Sequence, residues 1–131
     1  MTHPNEELVR KGYAAFLGGD LGALNDLFAD DIVWHAPGRN QLSGDYHGKD
    51  EVFGQFAKVF EMTGGTFTLD IHAVLADDEH AVVLLRATGD RPDGRHLDDI
   101  GAQVFHIADG KVVEQWLHPG DAYAGDEFWN D

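Results

Sequence analysis

Arg86 is the side chain in this sequence whose type and setting point most directly to chemistry. It lies in the run Leu84-Leu85-Arg86-Ala87, which has the composition of a strand interior. An unpaired arginine there costs several kcal/mol, so the guanidinium needs a partner or solvent. Three interpretations are open for Arg86. It forms an ion pair with Asp98 or Asp99, it binds the carboxylate, enolate or phenolate of a ligand, or it lies exposed at a sheet edge.

Two neighbouring aspartates supply the second part of this candidate chemistry. Because adjacent residues of a strand face opposite sides, one of Asp98 and Asp99 points inward and the other outward. The inward carboxylate is the best available proton acceptor. The simpler interpretation is that it only pairs with Arg86 or Arg95. Arg86, Asp98 and Asp99 are therefore the candidate catalytic residues.

Gln103 and Gln115 each interrupt an otherwise apolar strand. An amide can donate a hydrogen bond to a ligand carbonyl, but neither glutamine can take up a proton at neutral pH. The alternative is that both are core amides whose hydrogen bonds are satisfied within the protein. The sequence leaves these two interpretations open.

The eight histidines give only a weak metal signal. None forms a His-x-His or an i,i+4 helical pair, and cysteine is absent, so no metal or other cofactor is predicted. A metal-binding cupin would be all-β, which three amphipathic helices argue against. His35 can titrate near neutral pH, although strand parity points it to the outer face of the sheet.

Hydrophobic periodicity and glycine, proline and aspartate breaks predict the elements that must position these residues. Helices are predicted over residues 5–17, in a short segment capped by Asp20, and over residues 49–62. Strands are predicted over residues 32–36, 66–75, 80–88, 96–107 and 112–117. The Asp109-Gly110 turn joins the last two strands as a hairpin.

This order of elements predicts a single α+β domain spanning residues 1–131. Short turns join the last four strands, which favours an antiparallel meander, and three amphipathic helices need a sheet face to cover. The result is a curved sheet wrapped around the three helices of the N-terminal half. Residues 122–131 are too aromatic for a disordered acidic tail and should pack on the pocket mouth or on a partner subunit.

Alternation along the strands predicts which side chains face a pocket between sheet and helices. A one-residue slip in register would turn every inward residue of a strand outward. With Phe53 and Phe56 from the third helix and Tyr46 from a polar loop, the candidate substrate-binding residues are Trp34, Tyr46, Phe53, Phe56, Leu84, Gln103, Phe105, Gln115 and Leu117.

Composition excludes several classes of partner and site. The chain has 131 residues, no cysteine and a formal net charge of −15, which repels phosphate backbones and anionic lipid. Neither nucleic acid nor a membrane is therefore predicted as a partner. Met1-Thr2-His3-Pro4 leads straight into a polar helix, so no signal peptide is predicted, and the absence of cysteine fits a reducing cytoplasm.

The outer face of the last hairpin is too apolar for a solvated surface. It should carry Val104, His106, Glu114, Trp116 and His118, and no predicted helix is left to cover it. We therefore expect an isologous homodimer through this face, apolar at its centre and with carboxylates at its rim.

Two stretches and the order of elements resemble a known superfamily. They are Leu27-Phe28-Ala29-Asp30-Asp31, before the first strand, and Asp109-Gly110-Lys111-Val112-Val113-Glu114, in the last hairpin. Together they resemble the nuclear transport factor 2-like superfamily, in its SnoaL-like, ketosteroid-isomerase-related branch. The resemblance implies a cone-shaped, cystatin-like scaffold with a pocket inside, often homodimeric. This scaffold hosts isomerases, cyclases, dehydratases, epoxide hydrolases and plain binding modules.

The catalytic residues of ketosteroid isomerases are not matched. The positions of their base, tyrosine and acid fall on Ala36, Gly12 and Gln103. The His and Asp that flank the Trp of the last strand in many SnoaL-like proteins are Gln115 and Leu117 here. A ketosteroid isomerase is therefore not predicted.

Three functional hypotheses follow. The first is an acid–base enzyme for a hydrophobic oxygenated substrate such as a polyketide or cyclic ketone, in which Arg86 stabilises an oxyanion and Asp98 or Asp99 moves the proton. The second is a non-catalytic module that binds an apolar small molecule in the same pocket. The third is a subunit-interaction protein whose own side chains fill the pocket.

Overall fold

Residues 2–130 are described by the computed structural model, and they form an α+β fold with one six-stranded sheet. In chain order the elements are α1 (Pro4–Leu17), α2 (Leu21–Leu27), β1 (Phe28–Ala36), β2 (Gly44–His47), α3 (Lys49–Met62), β3 (Thr68–Ala76), β4 (His80–Asp90), β5 (His96–Ala108), β6 (Lys111–His118) and α4 (Ala122–Trp129). The predicted α+β class is confirmed.

The sheet is mixed, with strand order β2-β1-β6-β5-β4-β3. The pairs from β3 through β6 are antiparallel, so the predicted meander is confirmed. The one parallel contact in the described sheet joins β1 to β6. It brings the first strand of the chain beside the last, and helix α3, which lies between β2 and the meander in the chain, packs on one face of the sheet.

Helices α1 and α3 pack on the concave face through apolar stripes at helical spacing. The His3 ring caps α1 by accepting from the Asn5 amide at 3.0 Å, and Pro4 occupies its first turn. Helix α3 buries one face against the sheet, where Val52 and Phe56 join the main core cluster. The helices therefore cover the concave side and leave the convex side bare.

Two elements were not predicted as regular structure. Strand β2 is a four-residue edge strand within the predicted polar loop, and it exists because it pairs with β1. Helix α4 forms from the aromatic tail, where the Asp121 side chain caps it by accepting from the Ala124 amide at 3.0 Å. Residues 2–130 therefore form four helices rather than the predicted three.

The predicted phase of β4 is wrong. The register pairs Val83 with Gln103 and Arg86 with Ile100, so Arg86 and Gln103 lie on opposite faces. The five residues that connect Asp90 to its partner His96 set this register. The inward residues of β4 are Ala81, Val83, Leu85 and Ala87.

Strand β3 also departs from the predicted alternation, because of a β-bulge. Its pairing with β4 shifts between Ile71 and Ala73, so one residue is inserted there. Beyond the bulge, Val74 packs against the core and Leu75 is exposed. The sequence alternates without interruption, and nothing in it marks the inserted residue.

Helix α4 packs back on its own domain and lies across the mouth of the cone. The Asp99 carboxylate accepts from the backbone amides of Gly120 and Asp121, at 3.1 and 3.0 Å, just before the helix. At the other end, Arg91 donates to the Phe128 carbonyl at 2.7 Å. Phe128 is 3% exposed and anchors the helix. The tail is therefore an ordered lid held at both ends.

Replacing Phe128 by alanine should lower the free energy of unfolding by about 3 kcal/mol, because it removes a buried aromatic ring. Urea unfolding of the purified protein measures the change. Tyr123→Ala is the matched control, since Tyr123 lies on the same helix and is 85% exposed; its change should stay below about 0.5 kcal/mol. Equal effects of the two substitutions would mean that α4 is not held by its buried face.

Candidate ligand-binding site

A cavity of about 190 Å³ lies between the concave face of the sheet, helices α1 and α3, and the lid α4. Its wall is mainly aromatic and aliphatic, and an apolar wall of this kind favours a hydrophobic ligand. The larger apolar side chains of the wall include Leu8, Phe16, Leu27, Phe28, Trp34, Phe56, Phe67, Leu69, Leu85, Leu97, Phe105, Leu117 and Trp129.

Trp34 is the centre of the aromatic part of the wall. Its ring meets those of Phe56 and Phe105 edge to face, with centroids 4.9 and 6.2 Å apart. Phe56 and Phe105 are themselves buried, so these rings hold one another in place. This part of the site is therefore preformed by core packing rather than by flexible loops.

Five of the nine predicted substrate-binding residues line the cavity, namely Trp34, Phe56, Gln103, Phe105 and Leu117. The other four are corrected by the structure. Phe53 lies in the core against Phe28, and the Tyr46 hydroxyl donates to the Leu42 carbonyl at 2.8 Å. Leu84 is on the outer face and is 38% exposed, while Gln115 is fully buried behind Gln103.

A chain of hydrogen bonds runs from the cavity wall into the sheet. The Tyr13 hydroxyl donates to Gln103 Oε1, and Gln103 Nε2 donates to Gln115 Oε1 at 2.8 Å. Gln115 Nε2 then donates to the His35 carbonyl at 3.2 Å. Both glutamines therefore form hydrogen bonds within the protein, which agrees with the interpretation of Gln103 and Gln115 as core amides.

Tyr13 is one of the polar wall residues that sequence reasoning missed, with Asn40, Gln55 and Asp126. It comes from α1 and is buried, and burial raises the pKa of its hydroxyl far above the usual value, so the side chain stays neutral. A phenolic hydroxyl on the otherwise apolar face formed by Val9, Tyr13 and Phe16 was the signal that could have found it. The structure places Tyr13 beside Gln103. Tyr13 is one residue after Gly12, on which the tyrosine position of ketosteroid isomerases falls in the sequence comparison.

Two carboxylates lie on the wall at the end covered by α4. Asp99 is the inward member of the adjacent aspartate pair, and backbone amides fix its carboxylate. Asp126 accepts from the Arg39 amide at 2.9 Å and from Asn40 Nδ2 at 2.8 Å, and these bonds hold its pKa below the usual value. No Lys, Arg or His occurs among the described wall residues, so the wall disfavours an anion.

Arg86 and Asp98 are on the outer face and do not line the cavity. Arg86 Nε and Nη2 donate to the two Asp98 oxygens at 2.7 and 2.5 Å, forming a bidentate ion pair. This pairing lowers the pKa of Asp98. Of the interpretations of Arg86, the structure shows the ion pair with Asp98. The prediction that Arg86 and Asp98 lie at the site is therefore wrong.

A second polar cluster surrounds His35 on the outer face. Its Nδ1 and Nε2 donate to Asp45 and Glu114 at 2.7 and 2.6 Å, which raises the pKa of His35, and its ring stacks on Trp116. Two donated bonds require the doubly protonated ring. No group of three or more His, Cys, Asp or Glu suited to a metal ion is found in residues 2–130.

This α+β cone with an internal cavity defines the fold of nuclear transport factor 2-like proteins, which confirms the resemblance. The family model described as the SnoaL-like domain matches residues 9–115, and the chain belongs to this family. None of the helices formed by residues 2–130 has the length and apolar character needed to cross a membrane.

Three known proteins are similar over nearly the whole chain. Bal32a, from a soil-derived mobile gene cassette, is 40% identical with a TM-score of 0.93 and covers 97% of each chain. An uncharacterized protein of Mycobacterium tuberculosis is 29% identical and covers 94% of each chain. The structure of TerC was determined after co-crystallisation with polyporic acid. TerC is 21% identical with a TM-score of 0.85, and the alignment covers 96% of this chain and 98% of TerC. At this identity the likeness shows a shared fold.

Proposed function

We propose that this SnoaL-like protein binds an uncharged, hydrophobic, oxygenated small molecule in the cavity and uses Asp99 as a proton acceptor. The observation that carries the proposal is the position of Asp99, one of two carboxylates on the wall of a mainly apolar cavity. Arg86 has no part in it, because its side chain lies on the opposite face of the sheet.

Size, polarity and charge of the wall support this class of ligand. A volume of about 190 Å³ is smaller than most drug-sized sites and suits a compact molecule of one or two rings. Aromatic side chains supply the contact area, and Asp99 and Asp126 would repel a carboxylate or phosphate. TerC, a protein of the same fold, was crystallised with polyporic acid, which supports the use of this scaffold for small molecules.

Asp99 has the chemistry of a general base. The two backbone amides orient its carboxylate, yet a carboxylate has about four lone-pair positions, so it can still accept a bond from a ligand. A ligand hydroxyl, an acidic carbon or a water molecule could give up its proton there. The same amides connect the base to the start of α4, so the lid and the base share one anchor.

A non-catalytic binding module is the second candidate. It is favoured by the lack of any Lys, Arg or His on the described wall, since an enolate or alkoxide formed in the cavity would meet no cation. The two candidates share the ligand site and differ only in whether Asp99 exchanges a proton with the ligand.

An accessible base in the cavity is tested with 5-nitrobenzisoxazole, an uncharged two-ring probe that opens to a coloured cyanophenolate when its ring proton is removed. Asp99→Asn should lower kcat/KM for the opening by about 100-fold, because the general base is lost. Asp98→Asn is the matched control and should change it by less than about threefold, since Asp98 lies on the outer face.

Equal losses in the two variants, or no loss in Asp99→Asn, would contradict the role of Asp99. Thermal unfolding of both variants establishes that α4 remains in place. A probe that binds to the wild type but does not open supports the second candidate.

We also propose that the protein forms a homodimer through the outer face of the sheet. Val104, His106, Trp116 and His118 lie on this face together with Leu84 and Ile100, of which Ile100 is 71% exposed. Helix α4 lies at the mouth of the cone and leaves this face bare. The Arg86–Asp98 pair and the His35 cluster border these apolar side chains, and an exposed apolar patch with a polar rim is typical of an interface.

Replacing Trp116 by glutamate should convert the dimer into a monomer at micromolar concentration, because a charge would enter the apolar centre of the interface. Sedimentation velocity measures the change. Tyr123→Glu, at an exposed position of helix α4, is the matched control and should sediment like the wild type. A monomeric wild type, or a Trp116→Glu variant that still dimerises, would refute the interface.

A further inference from the structure

In the hydrogen-bonded chain Tyr13–Gln103–Gln115, the group at the buried end determines which atoms donate and which accept. The chain ends on the backbone carbonyl of His35, which can only accept. Gln115 must therefore present its Nε2 to that carbonyl, and its Oε1 then faces Gln103. Because Gln115 Oε1 can only accept, Gln103 must present its own Nε2 to it.

This order decides what Tyr13 can do. Gln103 Oε1 faces the Tyr13 hydroxyl, and since an amide oxygen cannot donate, the hydroxyl proton is committed to it. No other hydrogen-bond partner of this hydroxyl is found within residues 2–130. Tyr13 can therefore form a hydrogen bond with a ligand only through the acceptor lone pairs of its hydroxyl oxygen.

We propose that Tyr13 is a specificity-determining residue that accepts a hydrogen bond from a ligand hydroxyl, so that the cavity selects an apolar alcohol or phenol over the corresponding ketone. This inference rests on the proposed function, because it names the substrate class of the same site. A ketone could pair with Tyr13 only if the hydroxyl proton turned away from Gln103, which would leave a buried amide oxygen without a donor.

The carboxylates of the wall agree with this polarity. Asp99 and Asp126 are acceptors, and Asn40 Nδ2 donates one hydrogen bond to Asp126. Burial keeps Tyr13 neutral, so it neither repels a neutral ligand nor acts as a phenolate. Tyr13 and the two carboxylates therefore offer neutral and charged acceptors to a ligand hydroxyl, beside the donors that the amides of Asn40 and Gln55 and the indole groups of Trp34 and Trp129 carry.

The test compares 2-indanol with 2-indanone, which have the same rings and differ in whether the oxygen can donate. Calorimetric titration of the full chain should show 2-indanol binding at least about tenfold more tightly. In Tyr13→Phe this ratio should fall by at least about threefold, because one of the acceptors is lost. Asp98→Asn, on the outer face, should keep the wild-type ratio.

A second variant tests the direction of the chain itself. Gln103→Met removes the acceptor that holds the Tyr13 proton, so Tyr13 becomes free to donate and the affinity for 2-indanone should rise. Circular dichroism and thermal unfolding establish that both variants are folded. A merely structural role of Gln103 would weaken both ligands alike and would not change their ratio.

The outcomes separate this inference from the function on which it rests. Equal affinities for the two indanes, or a ratio that survives Tyr13→Phe, would overturn the role of Tyr13 while leaving the cavity as a small-molecule site. Binding of neither compound would contradict the proposed function and the inference together.

Discussion

The register between β4 and β5 determines the character of both faces of the sheet. Pairing Val83 with Gln103 sends Asp99, Gln103 and Phe105 to the concave face and Arg86 to the convex one. A shift of β4 by one residue with β5 in place would turn Arg86 into the cavity. The charge of the site therefore depends on the five-residue turn between β4 and β5.

Closure of the cavity depends on a close approach between β5 and the start of α4. A Cβ at Gly101 would come within 2.7 Å of the His118 carbonyl oxygen, so only glycine fits there. The chain can then pass near enough for Asp99 to accept from the Gly120 and Asp121 amides. Asp99 is thus both a wall residue and an anchor of the lid, which couples access to the cavity with the orientation of its candidate base.

Sequence patterns predicted the class of fold, the bounds of α3 and the inward residues of β1, β5 and β6, because each has one polar or aromatic marker that breaks the symmetry of its faces. Strand β4 has a polar marker in Arg86, but the prediction placed it at the pocket, and Ala81 to Leu85 are apolar on both faces, so the phase came out reversed. The bulge of β3 and the pairing of β2 depend on neighbouring strands. Tyr13 gained its role only from contact with Gln103, 90 residues away.

The inner cavity, rather than the convex face, is the proposed site for an uncharged hydrophobic ligand. A crystal structure of the protein grown with 2-indanol is the most direct test. We expect the indane rings between Trp34 and Phe105, under α4, with the outer face free of ligand. Rings bound beside Trp116 on the convex face, or a cavity filled by its own side chains, would contradict it.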